Sequence, residues 1–206
     1  MIEFLGHNTW VAIVFTGLVG LIGTMVAVST QRSINRRRAT VDMFSNKLWD
    51  EDYIKVSNIF YTAMKDQTKL MQDYDLFIQA RNIQQSGKWA DVHDAEKKKF
   101  DDATLNITSV RSILNDRELI AIGVREGTYD EVIYRRWWYS TALLEWRSAS
   151  PLVARIRSDT QVGPSAYAYT EMENLAKRWQ AEGPWRRADR HVRLPGGRTV
   201  TISRSR

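Results

Sequence analysis

The sequence predicts an all-α protein in which a single N-terminal transmembrane helix precedes a cytoplasmic helical bundle. Three observations predict this class. The twenty residues 10–29 contain no charged side chain. Proline is absent from residues 1–150, and Gly87 is the only glycine between residues 24 and 122. In the segments that follow, apolar residues recur at spacings of three and four, which is typical of amphipathic helices.

The uncharged run has the length of a membrane span. At a rise of 1.5 Å per residue it extends about 30 Å, the thickness of the hydrocarbon core of a bilayer, and Trp10 would lie at one interface. A cleaved signal peptide would need a basic start, which this chain lacks, although Ala27-Val28-Ser29 offers a weak cleavage site. A buried core helix is rarely free of charge over this length. Residues 10–30 are therefore predicted to be a transmembrane helix.

The charges on either side of this helix predict its orientation. Residues 1–9 contain Glu3 and neither lysine nor arginine. The segment 31–49, a predicted juxtamembrane helix, begins with four basic residues that we take as membrane-surface and topology determinants: Arg32, Arg36, Arg37 and Arg38. Because cytoplasmic flanks carry the excess of positive charge, residues 1–9 are expected outside and the rest of the chain in the cytoplasm.

Small side chains follow one face of the transmembrane helix. They recur at spacings of three and four residues, and they are Ala12, Thr16, Gly20, Gly23 and Ala27. Small faces let two helix backbones approach closely in lipid, so this face predicts self-association into a homo-oligomer. The alternative is that glycine is simply frequent in transmembrane helices.

Residues 50–183 are predicted to form the cytoplasmic helical domain. An apolar stripe over residues 53–64 weakens towards a stop at Ser86-Gly87. A second long helix is expected from near Asp91 to a left-handed C-cap at Gly127. Gly123 lies inside that helix, where glycine costs about 1 kcal/mol relative to alanine, and this predicts close approach by another group.

The second half of the domain carries three helix starts. Thr128 and Glu131 have capping-box spacing, so a helix is expected from there to about residue 147. Ser150-Pro151 would open a short helix. Gly163-Pro164 would open another that ends at Gly183-Pro184, with one apolar face formed by Ala168, Met172, Leu175 and Trp179.

The tail, residues 184–206, carries a net charge of +6, whereas residues 39–183 carry −3. Nucleic acid is therefore not an expected partner of the domain. Anionic lipid headgroups are the better candidate because the membrane helix holds the tail near the bilayer. The candidate lipid-binding residues are Arg186, Arg187, Arg190, Arg193 and Arg198. Alternation around Pro-Gly-Gly over residues 191–202 suggests a small β-hairpin, and a flexible arginine-rich end is the alternative.

No motif for catalysis, metal binding or cofactor binding occurs in the sequence. The chain has no cysteine and three histidines, and it lacks a phosphate-binding glycine loop, G-x-S-x-G and H-E-x-x-H. His93 is expected to be a solvated helix residue. We predict no catalytic residues, no metal and no cofactor, and an enzyme with an unfamiliar helical site is the less favoured alternative.

The most distinctive stretch runs from Glu118 to Trp138. Trp137 and Trp138 differ by about 100° around a helix, so they face different surfaces. Trp137 is expected to continue the Ile133–Leu144 face. Tyr134, Arg135 and Trp138 form the candidate surface for a cytoplasmic partner, and core packing of both tryptophans is the alternative.

This stretch resembles a known family. The residues that carry the resemblance are E-x-I-A-I-G-V at 118–124, E-G-x-x-D-E at 126–131, the aromatic pair 137–138, and the later Pro151, Tyr167, Leu175, Arg178 and Trp179. They are similar to a bacterial and prophage family defined only as a domain of unknown function. The resemblance covers residues 10–180 and implies an inner-membrane setting with a cytoplasmic helical domain. It implies no catalytic residue.

Together these patterns favour a single-pass inner-membrane protein whose cytoplasmic domain binds a protein partner or senses a signal. A role in phage–host conflict, as defence or superinfection exclusion, is one expectation. The alternative is a membrane-perturbing effector that acts through self-association of the transmembrane helix.

Overall fold

Helices account for nearly all of the described chain. The computed structural model describes the backbone of residues 2–159, 166–183, 190–193 and 199–202, and the side chains of residues 13–159 and 166–183. The α-helices in these ranges are α1 (Ile2–Trp49), α2 (Glu51–Met64), α3 (Gln67–Gln85), α4 (Asp94–Arg125), α5 (Glu131–Ser158) and α6 (Thr170–Glu182), with a 3-10 turn at Lys88–Asp91. The predicted all-α class with an N-terminal apolar helix is confirmed.

Helix α1 is a single uninterrupted element with two different surroundings. Residues 13–32 are exposed throughout. The helix contains an 18-residue window with a mean hydropathy of 2.0, so it is long and apolar enough to cross a membrane. The second half reaches the bundle, where Thr40 and Phe44 are buried. The apolar segment and the bundle are therefore joined by continuous helix.

Aspartate side chains separate the first three helices. The Asp50 carboxylate accepts hydrogen bonds from the backbone N–H groups of Asp52 and Tyr53, each at 3.0 Å, and Asp66 accepts from Lys69 at 2.9 Å. These bonds satisfy N–H groups that have no partner within the helix. The predicted stop after α3 is confirmed, because Ser86 is the C-cap and Gly87 has φ +73°.

His93 lies at the start of α4 as its N-cap, and it is exposed, as predicted. Its Nδ1 accepts a hydrogen bond from the Ala95 backbone N–H at 3.3 Å. The role of this histidine in the described structure is therefore to cap a helix.

Two apolar clusters hold the bundle together. The first joins α2, α3, α4 and α5, with contributions from α6, and its largest buried members are Phe60, Leu70, Tyr74, Ile107, Ile113, Leu114 and Leu152. The second joins α1, α4, α5 and α6 through Phe44, Ile120, Ala121, Val124, Tyr134, Leu175 and Trp179. Phe44 is thus the apolar anchor by which α1 enters the bundle.

The turn between α4 and α5 is a Schellman motif, as the predicted C-cap at Gly127 indicates. Gly127 has φ +70°, its N–H donates to Val124 O at 3.2 Å, and the Thr128 N–H donates to Gly123 O at 2.8 Å. Gly123 is approached closely, as predicted: a Cβ there would lie 2.4 Å from Cδ2 of the Tyr129 ring. The glycine is therefore required by packing.

The predicted capping box at the start of α5 was wrong. The N-cap is Asp130, whose carboxylate accepts from the Ile133 N–H at 3.1 Å. Thr128 instead donates its N–H to the Schellman turn, and the Glu131 carboxylate accepts from Trp179 Nε1 at 2.8 Å. Glu131, which the local spacing predicted to be a capping residue, therefore bonds to α6 instead.

The predicted break at residues 148–151 was also wrong, since α5 continues through Pro151 to Ser158. Proline has no N–H for the carbonyl of Arg147, which is four residues earlier. The Ser150 hydroxyl donates to that carbonyl at 3.2 Å. Ala149, Leu152 and Val153 are fully buried on either side, so packing holds the helix through the proline.

Helix α6 begins later than predicted, at Thr170, and Gly163-Pro164 lies outside the described residues. The Glu118 carboxylate of α4 accepts the backbone N–H groups of Glu171 and Met172, at 3.1 and 2.7 Å, and this fixes the start of α6. The predicted end at Gly183 is confirmed by its φ of +75°. The predicted apolar face is buried at Met172, Leu175 and Trp179.

Two short strands follow the bundle, β1 (Arg190–Arg193) and β2 (Thr199–Ile202). They pair antiparallel, with Arg190 opposite Ile202 and Arg193 opposite Thr199. Apart from Arg190, the paired residues lie within the segment 191–202, whose alternation suggests a hairpin.

Replacing Gly123 with alanine should destabilise the bundle. The new methyl group would overlap the Tyr129 ring, and overpacking of this kind costs about 1–3 kcal/mol of the free energy of unfolding. Chemical denaturation of the detergent-solubilised chain, followed by circular dichroism, measures this. In a Tyr129→Ala background the same substitution should cost much less; an equal cost in both backgrounds would contradict the contact.

Candidate functional site

The centre of the bundle contains a buried ion pair between Arg117 of α4 and Glu145 of α5. The two residues are 5% and 3% exposed. Arg117 Nε donates to Glu145 Oε2 at 2.8 Å, and Arg117 Nη2 donates to Glu145 Oε1 at 3.2 Å. This two-point geometry is the strongest form of an arginine–carboxylate contact.

Aromatic side chains contact both members of this ion pair. The Tyr61 hydroxyl donates to Glu145 Oε1 at 2.6 Å, and Trp138 Nε1 donates to Glu145 Oε2 at 3.4 Å. The Arg117 guanidinium lies 4.6 Å from the centroid of the Trp138 ring, within the range of a cation–π contact. The buried carboxylate is therefore surrounded by donors on α2, α4 and α5.

The same arginine extends the contacts towards α1. Arg117 Nη1 donates to the Tyr53 hydroxyl at 2.9 Å and to Asp116 Oδ2 at 3.1 Å. Lys47, in the last turn of α1, pairs with Asp116 Oδ1. We call this set the α1–α4–α5 network: Lys47, Tyr53, Tyr61, Asp116, Arg117, Trp138 and Glu145. It connects the end of α1 to the centre of the bundle.

Sequence reasoning missed this network. Its charged members lie among polar residues, and charged side chains are usually solvated. One signal was present: Arg117 follows the buried Ile113 by one helical turn, and Glu145 precedes the buried Ala149 by one turn. Each charge therefore falls on the buried stripe of its own helix.

Burial and the ion pair shift the pKa values of the network. Desolvation raises the pKa of the Tyr53, Tyr61 and Tyr134 hydroxyls above the ordinary value of 10.0. Burial acts to lower the pKa of Arg117, but its hydrogen bond to Glu145 and the charge of that carboxylate outweigh it, so the pKa is raised. Desolvation lowers the pKa of Lys47, partly offset by Asp116.

The network has no room for a substrate. The cavity beside Arg117 and Glu145 is about 10 Å³, space for one water molecule at most. Within residues 13–159 and 166–183, no three acidic, histidine or cysteine side chains are grouped to hold a metal ion. The arrangement can therefore couple helices.

The residues of the predicted partner surface, Tyr134, Arg135 and Trp138, are not exposed as that prediction requires. Tyr134 and Arg135 are 2% and 6% exposed, and Trp138 packs against the second apolar cluster. Trp137, expected on an inward face with Leu144, is 64% exposed. The cause is the position of α1. The ring centroid of Phe44 lies within 6 Å of the ring centroids of Tyr134, Trp137 and Trp138, so α1 covers this part of α5.

Large apolar side chains are exposed on both α1 and α5. Arg37 meets Asp130 and Phe44 meets Trp137, so α1 and α5 run in the same direction along their shared side. Four of these exposed side chains are together called the α1–α5 patch: Val41, Leu48, Trp137 and Leu144. This patch takes the place of the predicted surface as the candidate for protein contact.

The predicted self-association face lies on the exposed half of α1. A Cβ at Gly20 or Gly23 would meet nothing within 4 Å among the described atoms, so this face is open there. Thr16 and Ala27 are exposed on the same helix, and the side chain of Ala12 lies outside the described residues.

The predicted basic residues fall into two groups. Arg32, Arg36, Arg37 and Arg38 are exposed on α1, and Arg37 Nε lies 3.3 Å from Asp130 Oδ2. In the tail, Arg186, Arg187 and Arg198 lie outside the described residues. Arg190 and Arg193 belong to β1, and their side chains are not described.

A family model for a domain of unknown function, DUF4760, matches residues 12–179. The chain belongs to this family. No curated protein and no solved structure matches the chain. The DUF4760 region begins in the apolar half of α1 and ends at Trp179 in α6, so it contains the whole α1–α4–α5 network. The predicted membership of a family of unknown function is confirmed, over almost the predicted extent.

Replacing Glu145 with glutamine should unfold or severely weaken the bundle. It removes the charge that compensates Arg117, and breaking a buried ion pair costs about 3–5 kcal/mol of the free energy of unfolding. Arg155→Gln is the matched control, because its pair with Asp75 is 57% and 63% exposed and should contribute within about 1 kcal/mol. Urea denaturation of both variants measures the difference, and equal effects would contradict the role of burial.

The bundle should lose stability above about pH 10, the ordinary pKa of tyrosine. Burial raises the pKa of Tyr53, Tyr61, Tyr134 and Tyr169, and of Tyr74 to about 12. Groups whose pKa is raised by folding stabilise the protein fully below their unfolded pKa, and this contribution is lost as the pH rises through the folded value. Lys47 acts in the opposite direction, but it is one group against five phenols.

Absorbance at 295 nm, which reports tyrosinate, measures this in the folded chain and in urea. Five of the eight tyrosines should ionise late in the folded chain and at the ordinary pH in urea. Ionisation of all eight together in the folded chain would show that these hydroxyls are solvated.

Proposed function

We propose that the chain is a single-pass protein of the bacterial inner membrane whose cytoplasmic helical domain binds a protein partner or senses a signal. The observation that carries the proposal is helix α1. Its residues 13–32 are exposed and apolar until Arg32, and residues 40 and 44 of the same helix are buried in the bundle. An exposed apolar surface of this length is unfavourable in water and favourable in lipid.

The charges next to α1 support the orientation. The arginines at 32, 36, 37 and 38 follow the apolar segment, and Glu3 precedes it. The positive-inside rule then places the N-terminus outside and the bundle in the cytoplasm.

The coupling between α1 and the bundle supports a sensing role. Lys47 pairs with Asp116, and Phe44 stacks on α5, so both a charge and an aromatic ring tie α1 to the domain. A tilt or rotation of the membrane segment would strain these contacts. The domain can thus respond to events in the membrane without a flexible hinge.

The α1–α5 patch supports a role in protein binding. Its four side chains are each more than half exposed, and exposed apolar residues that lie together commonly mark interaction sites. Trp137 is suited to be the central contact because tryptophan is enriched among the residues that dominate binding energy. The proposed partner is a cytoplasmic protein with an apolar groove.

A role in phage–host conflict, as defence or superinfection exclusion, is the physiological setting we propose; its support is the resemblance of the 118–138 stretch to prophage proteins. A second candidate function is a membrane-perturbing effector. The open backbone at Gly20 and Gly23 favours it, because close helix contact in lipid uses such positions.

Topology is tested first, and the chain is suited to this because it has no cysteine. A membrane-impermeant maleimide should label Asn8→Cys in intact cells. It should label Gln85→Cys, on the exposed end of α3, only after permeabilisation. A chain that is washed from membranes by alkaline carbonate, or that shows the reverse labelling, would refute the proposal.

Partner binding is tested on the full-length chain in lipid discs, by mass spectrometry of co-purifying proteins. Trp137→Ala with Leu144→Ser should remove a near-stoichiometric partner. Leu105→Ser, an exposed leucine of α4 outside the patch, should retain it. A homo-oligomer without a partner, dispersed by Gly20→Leu with Gly23→Leu, would instead support the effector.

A further inference from the structure

A groove of about 900 Å³ separates α1 from the turn between α4 and α5. One wall is the stretch of α1 where the apolar segment ends, and the other wall is the Schellman turn. The lining residues are Leu21, Thr24, Met25, Val28, Ser29, Arg32, Asn35, Arg36, Ala39, Glu126, Gly127 and Thr128.

The chemistry of the lining changes along the groove. Its first part is apolar, at Leu21, Met25 and Val28, and its second part carries Arg32 and Arg36. Between residues 21 and 36 the helix rises about 22 Å. This change from apolar to basic coincides with the predicted boundary between hydrocarbon and headgroups. A ligand that follows the groove must itself be apolar at one end and anionic at the other.

The two arginines of the groove are available to a ligand. Among the described side chains, no carboxylate lies within 4 Å of Arg32 or Arg36, whereas the adjacent Arg37 is paired with Asp130. Glu126 is the acidic side chain in the described lining, and it accepts a hydrogen bond from Arg125 Nε at 2.9 Å. The lining therefore has two uncompensated positive charges at its polar end.

The walls of the groove are held in place before any ligand binds. The Thr40 hydroxyl donates to Arg36 O at 2.8 Å and accepts the Asp130 N–H at 2.7 Å, which fixes α1 against the start of α5. Gly127 has no side chain to fill the groove, and a Cβ there would lie 3.7 Å from Arg36 Nη1. The Arg36 guanidinium thus lies next to the backbone of the turn.

We propose that this groove binds a phospholipid with an anionic headgroup. Arg32 and Arg36 contact the phosphate, Ser29, Asn35 and Thr128 offer hydrogen bonds to the headgroup, and the first acyl carbons lie against Met25 and Val28. The site is separate from the arginines of the tail. It rests on the proposed insertion of α1 into a membrane and specifies which lipid the domain recognises there.

Native mass spectrometry of the full-length chain, released from detergent micelles, tests the site. Phosphatidylglycerol and phosphatidylcholine with the same acyl chains are titrated separately. We expect phosphatidylglycerol to bind at least tenfold more tightly. Arg32→Gln with Arg36→Gln should weaken it by about fivefold per arginine, since each basic side chain near an anionic lipid contributes about 1 kcal/mol.

The matched control is Arg147→Gln with Arg155→Gln, which removes two exposed arginines of α5 that do not line the groove. It should change binding less than threefold, and the tail is present in every variant. Equal binding of the two lipids, or equal loss in control and groove variants, would overturn the site. Displacement of the lipid by soluble glycerol 3-phosphate at the same concentration would also overturn it, because the groove would then recognise free phosphate.

The topology assay separates the two proposals. A chain that spans the membrane as proposed but does not distinguish the lipids refutes the lipid site alone. A chain that does not span the membrane refutes both. The groove variants keep Arg37 and Arg38, so their orientation should be unchanged, and cysteine labelling verifies this before binding is compared.

Discussion

The bundle depends on how it accommodates the buried positive charge of Arg117. Arg117 is buried near the meeting point of four helices, where an uncompensated guanidinium would be strongly unfavourable. Glu145 supplies the opposite charge, and Tyr61, Trp138 and Tyr53 satisfy the remaining hydrogen-bonding positions. These contacts require α2, α4 and α5 to keep one relative register. An apolar core alone would tolerate small shifts between these helices, whereas this pair does not.

The same constraint explains why α1 belongs to the domain. Lys47 reaches Asp116, the neighbour of Arg117, and Phe44 fills the space beside Tyr134 and Trp138. The C-terminal end of α1 therefore contacts the α1–α4–α5 network directly. Matching the DUF4760 region to residues 12–179 is consistent with this, because the family unit includes the apolar helix and the bundle together.

Local chemistry made parts of the fold predictable. Twenty uncharged residues, the glycines after α3 and α4, and the tight packing at Gly123 each follow from properties of one short segment. The failures have a common cause. Pro151 was expected to start a helix, but burial of Ala149 and Leu152 carries α5 through it. Glu131 was expected to cap its own helix, but it bonds Trp179 from α6.

The predicted partner surface was buried for the same reason, a contact with another helix. Periodicity separates the faces of α5, but it does not say which face α1 will cover. Phe44 contacts both Tyr134 and Trp137, but Tyr134 is buried and Trp137 stays 64% exposed, which is the reverse of the predicted arrangement. The pairing of Arg117 with Glu145 joins residues 28 positions apart on different helices, and no local pattern specifies it. The groove likewise exists only because the turn after α4 lies beside α1.

Because α1 is one continuous helix, the direction of its side chains in the apolar half also determines their direction in the half that reaches the bundle. At 3.6 residues per turn, Ile34 follows Gly20 by about 3.9 turns and Val41 follows it by about 5.8 turns. Both exposed side chains therefore point to nearly the same side of the helix as the glycine face. One line along α1 presents small residues in its apolar half and larger apolar residues in the half that reaches the bundle. If two copies of the chain met along this line in a membrane, their Ile34 and Val41 side chains would also face each other outside it.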